Sequence, residues 1–360
     1  MPPATAWLTT DFSPGIYPLQ PGGCGWYRSF LPMRAVSELG FETGMGIPDY
    51  NIEKGFGLAV NRTKTICGWE VVVLKLLMNR ETPHQVEQSR KHQVVVVDVD
   101  DFYAGLTEDN QAFQVTDPAR NPERNRDHYE RVIEAADHVT VSTQFLFDWY
   151  SARRPNVHLI RNGIDLGRWS RRKDTAGEHP TIGWVGGLPW RSGDIEELRP
   201  WLRDFLDEHG LKFHHAGHVD RGAPFHVKAG IDPARVTTEG MAAIVDYPRL
   251  FGRFDIGLVP LRDIPFNHAK STIKGMEYAA SGIPFVAAAT PEYVRLAEMG
   301  VGRVARTPEE WTAHLTELLD PRVRRKEAAR NRALLSQAHT MLDRGREWAD
   351  VLAGVTQAGG

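Results

Sequence analysis

Hydrophobic residues along the chain fall into short continuous runs separated by longer amphipathic stretches, a pattern that predicts parallel sheets covered by helices on both faces. In the first half the runs cover residues 5–9, 70–77 (EVVVLKLL), 94–99 (VVVVDV), 138–142 (HVTVS) and 157–160 (VHLI). Their nearly unbroken β-branched character predicts strands buried on both faces. Helix-length pieces lie between them at 26–39, 83–91 and 124–136, and Pro32 predicts a kink or a shortened helix in the first.

Residues 165–180 (DLGRWSRRKDTAGEHP) are polar, charged and closed by a proline, which reads as a linker. The same grammar then restarts with TIGWVGG (181–187), a helix at 194–208, KFHHAG (212–217), FDIGLVPL (254–261), a helix near 270–281 and IPFVAAA (283–289). The C-terminal stretch 321–353 is helix-rich, with Gly345 as an expected break between two helices. The predicted organisation is an α/β domain over 1–165, a linker over 166–180, a second α/β domain over 181–338 and a C-terminal helix and tail over 339–360.

Composition narrows the function classes. At 360 residues with 41% apolar and 25% charged residues, the chain is sized for two ordinary soluble domains. A formal charge of −3 gives no global electrostatic case for a nucleic-acid or anionic-membrane partner, although Arg153–Arg154 and the Arg171–Lys173 run are locally basic. Cys24 and Cys67, the only cysteines, cannot build a disulfide framework or a four-cysteine zinc site. The N-terminus lacks the pattern of a signal peptide, and no apolar run approaches the ~18 residues needed to span a bilayer. The expectation is a cytoplasmic protein.

Chemistry concentrates in 254–289, where a strand runs into a polar loop, a helix and Gly282-Ile283-Pro284 before the next strand. Ligands of such sheets sit at the carboxyl ends of the strands. Lys270, Ser271 and Thr272 are expected at the helix start, where free N–H groups and the helix dipole favour a diphosphate. Lys274 adds a second cation one turn on, and Glu277 is placed to accept hydrogen bonds from ribose hydroxyls; the bland alternative is a solvated lysine-rich helix. In the first half, Asp98, Asp100 and Asp101 end an apolar strand, where acids act as a base, orient an acceptor hydroxyl or bind a divalent metal. His214 and His215 alternate across a strand, which argues against a shared zinc with His218.

TIGWVGG, DIGLVPL and FNHAKSTIKGMEYAASGIPFV resemble the nucleotide-sugar domain of GT-B glycosyltransferases of the family 4 type, and VVVVDVDD, AADHVTVSTQFL and VHLIRNGIDLGRW resemble the acceptor domain of the same proteins. The resemblance implies an α/β GT-B fold, with two Rossmann-like domains facing a central cleft and C-terminal helices packing back on the N-terminal domain. It implies a retaining, metal-independent transferase moving a sugar from a nucleoside diphosphate sugar to an acceptor hydroxyl, with no cofactor. Glu277 matches the second acid of the family's E-x7-E motif; Ala269 stands where the first belongs, so Asn267, His268 or Lys270–Ser271 are expected to contact the donor sugar. Gly186 and Gly187 correspond to the glycine turn of the donor domain, Arg191 to a basic diphosphate-binding residue, and Gly22, Gly23 and Gly25 to a first glycine-rich loop facing the cleft.

Under this resemblance Asp100 and Asp101 handle the acceptor or sugar, and the competing reading of Asp98-x-Asp100 as a manganese-binding D-x-D recedes. The favoured acceptor is a protein or glycan. The alternatives are a transferase acting on modified DNA bases and a catalytically silent sugar-binding module, the latter motivated by Ala269.

Overall fold

The computed structural model describes residues 1–12, 20–61, 64–172, 177, 179–218 and 222–357. Part of the predicted linker, 173–176 and 178, and the end of the predicted tail, 358–360, lie outside the described residues. The chain divides into two compact units: residues 1–104, 114–163 and 341–360 form the first, and 105–113 with 164–340 the second.

In the first unit the strands are β1 (Thr5–Thr9), β2 (Thr43–Gly46), β3 (Pro48–Asn51), β4 (Gly55–Asn61), β5 (Lys64–Ile66), β6 (Val71–Lys75), β7 (Val94–Val99), β8 (His138–Val141) and β9 (Val157–Leu159). Six of them form one sheet in the order β2-β1-β6-β7-β8-β9, parallel throughout. All five residues of β1 and of β6 are buried, as expected for strands covered on both faces. The separate antiparallel sheet β3-β4-β5 lies within 41–69, a stretch that reads from sequence as a loop without a motif.

The predicted first helix runs from Gly23 to Glu38, and its irregularity has a local cause. Trp26–Phe30 forms a π-helical turn, in which the Leu31 N–H reaches back five residues to the Trp26 carbonyl. Pro32 follows directly; it has no N–H to donate, and the wider turn gives its ring room.

Gly345 does not break the C-terminal helix. It lies inside helix Met341–Gln357, and the break falls before Met341, after helix Pro321–Ala338. Helix Met341–Gln357 packs on helix Leu31–Glu38 of the same unit, and its Trp348 meets Trp7 of β1 edge to face with centroids 5.9 Å apart. The C-terminal helix thus closes the first unit's core.

The second unit holds β10 (Ile182–Val185), β11 (Phe213–Ala216), β12 (Val236–Glu239), β13 (Ile256–Val259), β14 (Phe285–Ala288) and β15 (Arg303–Ala305) in a parallel sheet ordered β12-β11-β10-β13-β14-β15. The order reverses between β10 and β13, and crevices at such reversals are where ligands enter open α/β sheets. The single helix expected at 194–208 is split into a 3-10 turn, Glu196–Leu198, and a helix, Leu202–Glu208. Pro200 between them cannot continue a helical ladder. Among the described residues no helix is long and apolar enough to cross a membrane.

Candidate functional site

Two clusters hold the candidate groups, one in each unit. In the first, β7 delivers Asp98 and the loop after it delivers Asp100 and Asp101. Asp98 is fully buried and accepts from Arg28 Nε at 3.0 Å, Arg28 Nη2 at 2.6 Å and Thr140 Oγ1 at 2.7 Å. Lys75 Nζ lies 3.4 Å from Asp98 Oδ2 and is hydrogen-bonded to Asp100. Arg28 also donates to the Ile160 carbonyl at 2.7 Å and to Asn162 Oδ1 at 3.1 Å, so Asn162 braces this cluster. A carboxylate held by two buried cations is a structural lock, and it removes Asp98 from any metal-binding D-x-D.

The glycine-rich loop meets the same acids. Gly25 N–H donates to Asp11 Oδ2 at 2.5 Å and Gly22 N–H to the Asp11 carbonyl at 2.9 Å, while a Cβ on Gly22 would lie 2.1 Å from Asp11 Oδ1. Gly23 is free of such crowding, with nothing within 4 Å of an added Cβ. Cys24 Sγ and one carboxylate oxygen each of Asp100 and Asp101 lie within 4.8 Å of one another. Burial, then the Asp100 and Asp101 carboxylates, push the Cys24 thiol well up, so it stays protonated at neutral pH. Burial likewise raises Asp11, against the Gly25 N–H.

In the second unit, helix Ile273–Ala280 follows β13, with Thr272 at its N-cap and Lys270 and Ser271 just ahead. The first helical bond closes from Met276 N–H to the Thr272 carbonyl, so earlier N–H groups face out of the helix end. Glu277 is 1% exposed; Lys274 Nζ and the Tyr247 hydroxyl reach its Oε2 at 2.6 and 3.1 Å, and Lys274 Nζ also reaches the Tyr247 hydroxyl at 2.5 Å. Burial lowers the Lys274 pKa, and Arg191 adds to this, against the pull of Glu277.

Arg191 joins this cluster from the loop after β10. Its guanidinium lies 5.4 Å from the Trp184 ring centroid, and Arg191 Nη1 is 3.9 Å from Asp194 Oδ2. Gly186 is required here, because a Cβ would sit 2.5 Å from the Trp184 ring and 3.1 Å from Arg191 Nη2. Gly187 starts the 3-10 turn Leu188–Trp190.

The structure therefore brings Gly186, Arg191, Lys274 and Glu277 into one neighbourhood. Asn267 is fully enclosed, its amide donating to Asp194 Oδ1 at 2.6 Å and to the Arg262 carbonyl at 2.9 Å, which makes it a brace for Asp194. His268 Nε2 lies 2.5 Å from Asp263 Oδ1, and Lys270 Nζ sits 4.2 Å from the Phe266 ring centroid. Ala269 is 1% exposed, so the methyl that stands in place of the first acid is closed off from solvent.

The histidines diverge as strand alternation requires: His214 Nδ1 lies 2.8 Å from Thr237 Oγ1, whereas His215 Nε2 lies 3.1 Å from the Gly186 carbonyl. Burial between Trp184 and Phe225 lowers His215 to about 4, so at neutral pH its ring is an uncharged prop beneath the glycine turn. Sequence reasoning missed Tyr247, which lies in the 3-10 stretch Tyr247–Arg253, and Asp194, the anchor for Asn267. Neither stands in a pattern that marks it.

Residues 195–350 match the family described as glycosyl transferase-like. The chain is 24% identical over 172 residues to the Bacillus subtilis (strain 168) protein TuaH, provisionally named a teichuronic acid biosynthesis glycosyltransferase; the aligned stretch is 45% of this chain and 42% of that protein, so the chain spans less than half the length of this curated relative. Among solved structures, sucrose-phosphate synthase from Thermosynechococcus elongatus superposes with a TM-score of 0.66 at 14% identity, covering 99% of this chain and 98% of that one. Anabaena HepE, in complex with UDP and glucose, gives 0.62 at 14% identity, covering 98% and 100%. A glycosyltransferase from Rickettsia africae ESF-5 gives 0.61 at 10% identity, covering 98% of each. The fold is the GT-B fold, and residues 195–350 are similar to the glycosyl transferase-like family.

Proposed function

We propose that the protein is a glycosyltransferase that binds a nucleoside diphosphate sugar in its second unit and transfers the sugar to a glycan or protein hydroxyl, with retention and without a metal. The observation that carries this reading is the cluster of Glu277, Lys274, Tyr247 and Arg191 beside Gly186, at the strand-order reversal of a parallel sheet.

The cluster suits a nucleoside diphosphate for three reasons. The helix end offers N–H groups and a positive dipole to the diphosphate, and Lys274, Lys270 and Arg191 supply cations where charge grows as the glycosidic bond breaks. Glu277, held by Lys274 and Tyr247, presents a carboxylate for ribose hydroxyls. Gly186 and Gly187 leave the backbone open to close approach. Catalysis then rests on positioning and on neutralising the leaving diphosphate, with Asp100 and Asp101 orienting the acceptor hydroxyl on the first unit. Lys75, beside Asp100, supplies fixed positive charge there, which favours the metal-free reading over a divalent ion held by Cys24, Asp100 and Asp101.

The relative TuaH is named for biosynthesis of teichuronic acid, and HepE is held with UDP and glucose; both favour a UDP-sugar donor and a glycan acceptor here. With Ala269 enclosed, the contact to the donor sugar that the missing acid would make falls to Lys270 and Ser271.

A thermal-shift panel of UDP, GDP, ADP, dTDP and CMP, each with and without EDTA, tests the reading. One diphosphate is expected to raise the melting temperature in EDTA, since ligand at a hundredfold its Kd stabilises by about 2.7 kcal/mol. The matching radiolabelled sugar donor should then be turned over or slowly hydrolysed. A shift that needs metal would move the donor onto the Cys24, Asp100 and Asp101 group, and silence across the panel would leave a module that binds no donor.

A further inference from the structure

A cavity of about 380 Å³ opens at the carboxyl ends of β13, β14 and β15. That volume lies at the small end of the range for ligand sites, about 300–1,000 Å³, with room for a sugar ring. It shares no residue with Gly186, Gly187, Arg191, Lys274 or Glu277. Asp263 on its wall lies 2.5 Å from His268 Nε2.

The cavity contains an unanswered polar group. Thr290 is 5% exposed and lines the cavity, and its Oγ1 has no hydrogen-bond partner. It occupies the N-cap of helix Pro291–Glu298, where a threonine hydroxyl normally accepts from the first turn, yet it makes no capping bond. A buried hydroxyl left in this state is unfavourable, and rotation about χ1 of Thr290 would bring it to a ligand hydroxyl in the cavity. The neighbouring rim is hydrogen-bonded by contrast: Thr307 Oγ1 caps its helix by accepting from Glu310 N–H at 3.3 Å, and Glu310 Oε2 accepts from Arg306 N–H at 2.6 Å, one residue before the N-cap.

The lining selects the ligand class. Asp263 and Glu197 are carboxylates that accept from hydroxyls, Arg306 is a donor, and Trp201, Trp311 and Pro260 supply apolar wall. Trp201 and Trp311 stack at 5.5 Å, which fixes that wall. Two acids on the lining, with Glu309 and Glu310 in the adjoining helix turn, repel a phosphate or a second nucleotide. A neutral ring with several hydroxyls and apolar faces satisfies every group. We propose that this cavity is a saccharide subsite that holds a neutral pyranose ring, separate from the nucleotide cluster and independent of whether that cluster binds a donor.

Saturation-transfer difference NMR on the full chain tests this with glucose, galactose, mannose, N-acetylglucosamine and glucuronate as probes. At least one neutral sugar should give a signal that excess UDP leaves in place. Ala289→Phe, which fills the cavity, should abolish it; Thr290→Val should weaken binding about fivefold, whereas Thr290→Ser retains it. No neutral sugar binding, a signal confined to glucuronate, a signal that survives Ala289→Phe, or one displaced by UDP would each overturn the subsite. If Ala289→Phe fails to fold, the Thr290→Val and Thr290→Ser pair decides, with equal affinities counting against the proposal. The UDP melting shift, read on the same samples, reports the nucleotide cluster separately.

Discussion

Lys75 and Lys274 are both buried lysines set against carboxylates, one in each unit, and their proton affinities move in opposite directions. Burial acts to lower Lys75, but Asp100 and Asp98 together outweigh it and raise its pKa. Burial also acts to lower Lys274, and there a single carboxylate, Glu277, opposed by Arg191, does not restore it. The first lysine is a permanent cation in a closed network. The second holds its proton less tightly, beside one carboxylate and the Arg191 guanidinium, and a diphosphate bound there would favour its charged form. A buried ion pair can therefore be a brace or a docking point, and the count of opposing charges around it separates the two.

The largest test of this contrast is Asp98→Asn. It leaves Arg28 and Lys75 buried with one carboxylate fewer, and breaking such a pair costs about 3–5 kcal/mol. Denaturant unfolding should show a loss of that size, while the nucleotide-induced melting shift of whatever protein remains folded is unchanged. Glu277→Gln should do the reverse. Lys274 can shed its proton and so escape the full penalty, but loss of the charged acceptor for ribose hydroxyls is worth about 1.5–3 kcal/mol, a roughly 10- to 150-fold weaker Kd for the nucleoside diphosphate. Comparable stability losses in the two variants, with nucleotide affinity intact in Glu277→Gln, would erase the distinction.

A pH titration sharpens it further. A bound diphosphate favours protonated Lys274, so binding takes up a proton wherever the free lysine has lost one. Affinity should fall as pH rises through the lowered lysine pKa, a window lying below the ordinary value of 10.5, by at most about tenfold per pH unit. Calorimetry in buffers of different ionisation enthalpy would record the uptake. Lys274→Arg, always charged, should flatten the profile, and a wild-type profile already flat across that window would mean that Lys274 does not face the ligand.

The parallel strands and helix Ile273–Ala280 were legible because their signals are local: VVVVDV is a nearly uninterrupted β-branched run, and KSTIKGMEY combines a helix start with spaced cations. What stayed hidden is non-local or lacks a period. Arg28 and Asp98 are 70 positions apart, and nothing in either segment names the other as its partner. Tyr247 reaches Glu277 from a 3-10 stretch that carries no helical periodicity. The sheet at β3-β4-β5 is half-exposed and glycine-containing, so its strands lack the apolar density that betrays buried ones. The helix expected over 194–208 failed at Pro200, a breaker that apolar spacing on either side concealed.

The smallest expected effect concerns the cover over the first cluster. Arg28 lies 5.7 Å from the ring centroid of Trp348, on helix Met341–Gln357, so that helix roofs the Arg28–Asp98–Lys75 network. Gly345 lets it approach: a Cβ there would stand 2.6 Å from Ala35 Cβ, and neither methyl can swing away. Gly345→Ala gains about 1 kcal/mol of helix propensity, but overpacking costs about 1–3 kcal/mol, for a net loss near 1 kcal/mol. Ala35→Gly in the same chain removes the opposing methyl, and its propensity cost offsets the gain at 345, so the double variant should melt close to the parent. Nucleotide binding in the second unit should be unaffected in all three variants. If Gly345→Ala instead stabilised the protein, the glycine would not be set by close helix packing, and the roof over the locked lysine would be looser than the 2.6 Å approach implies.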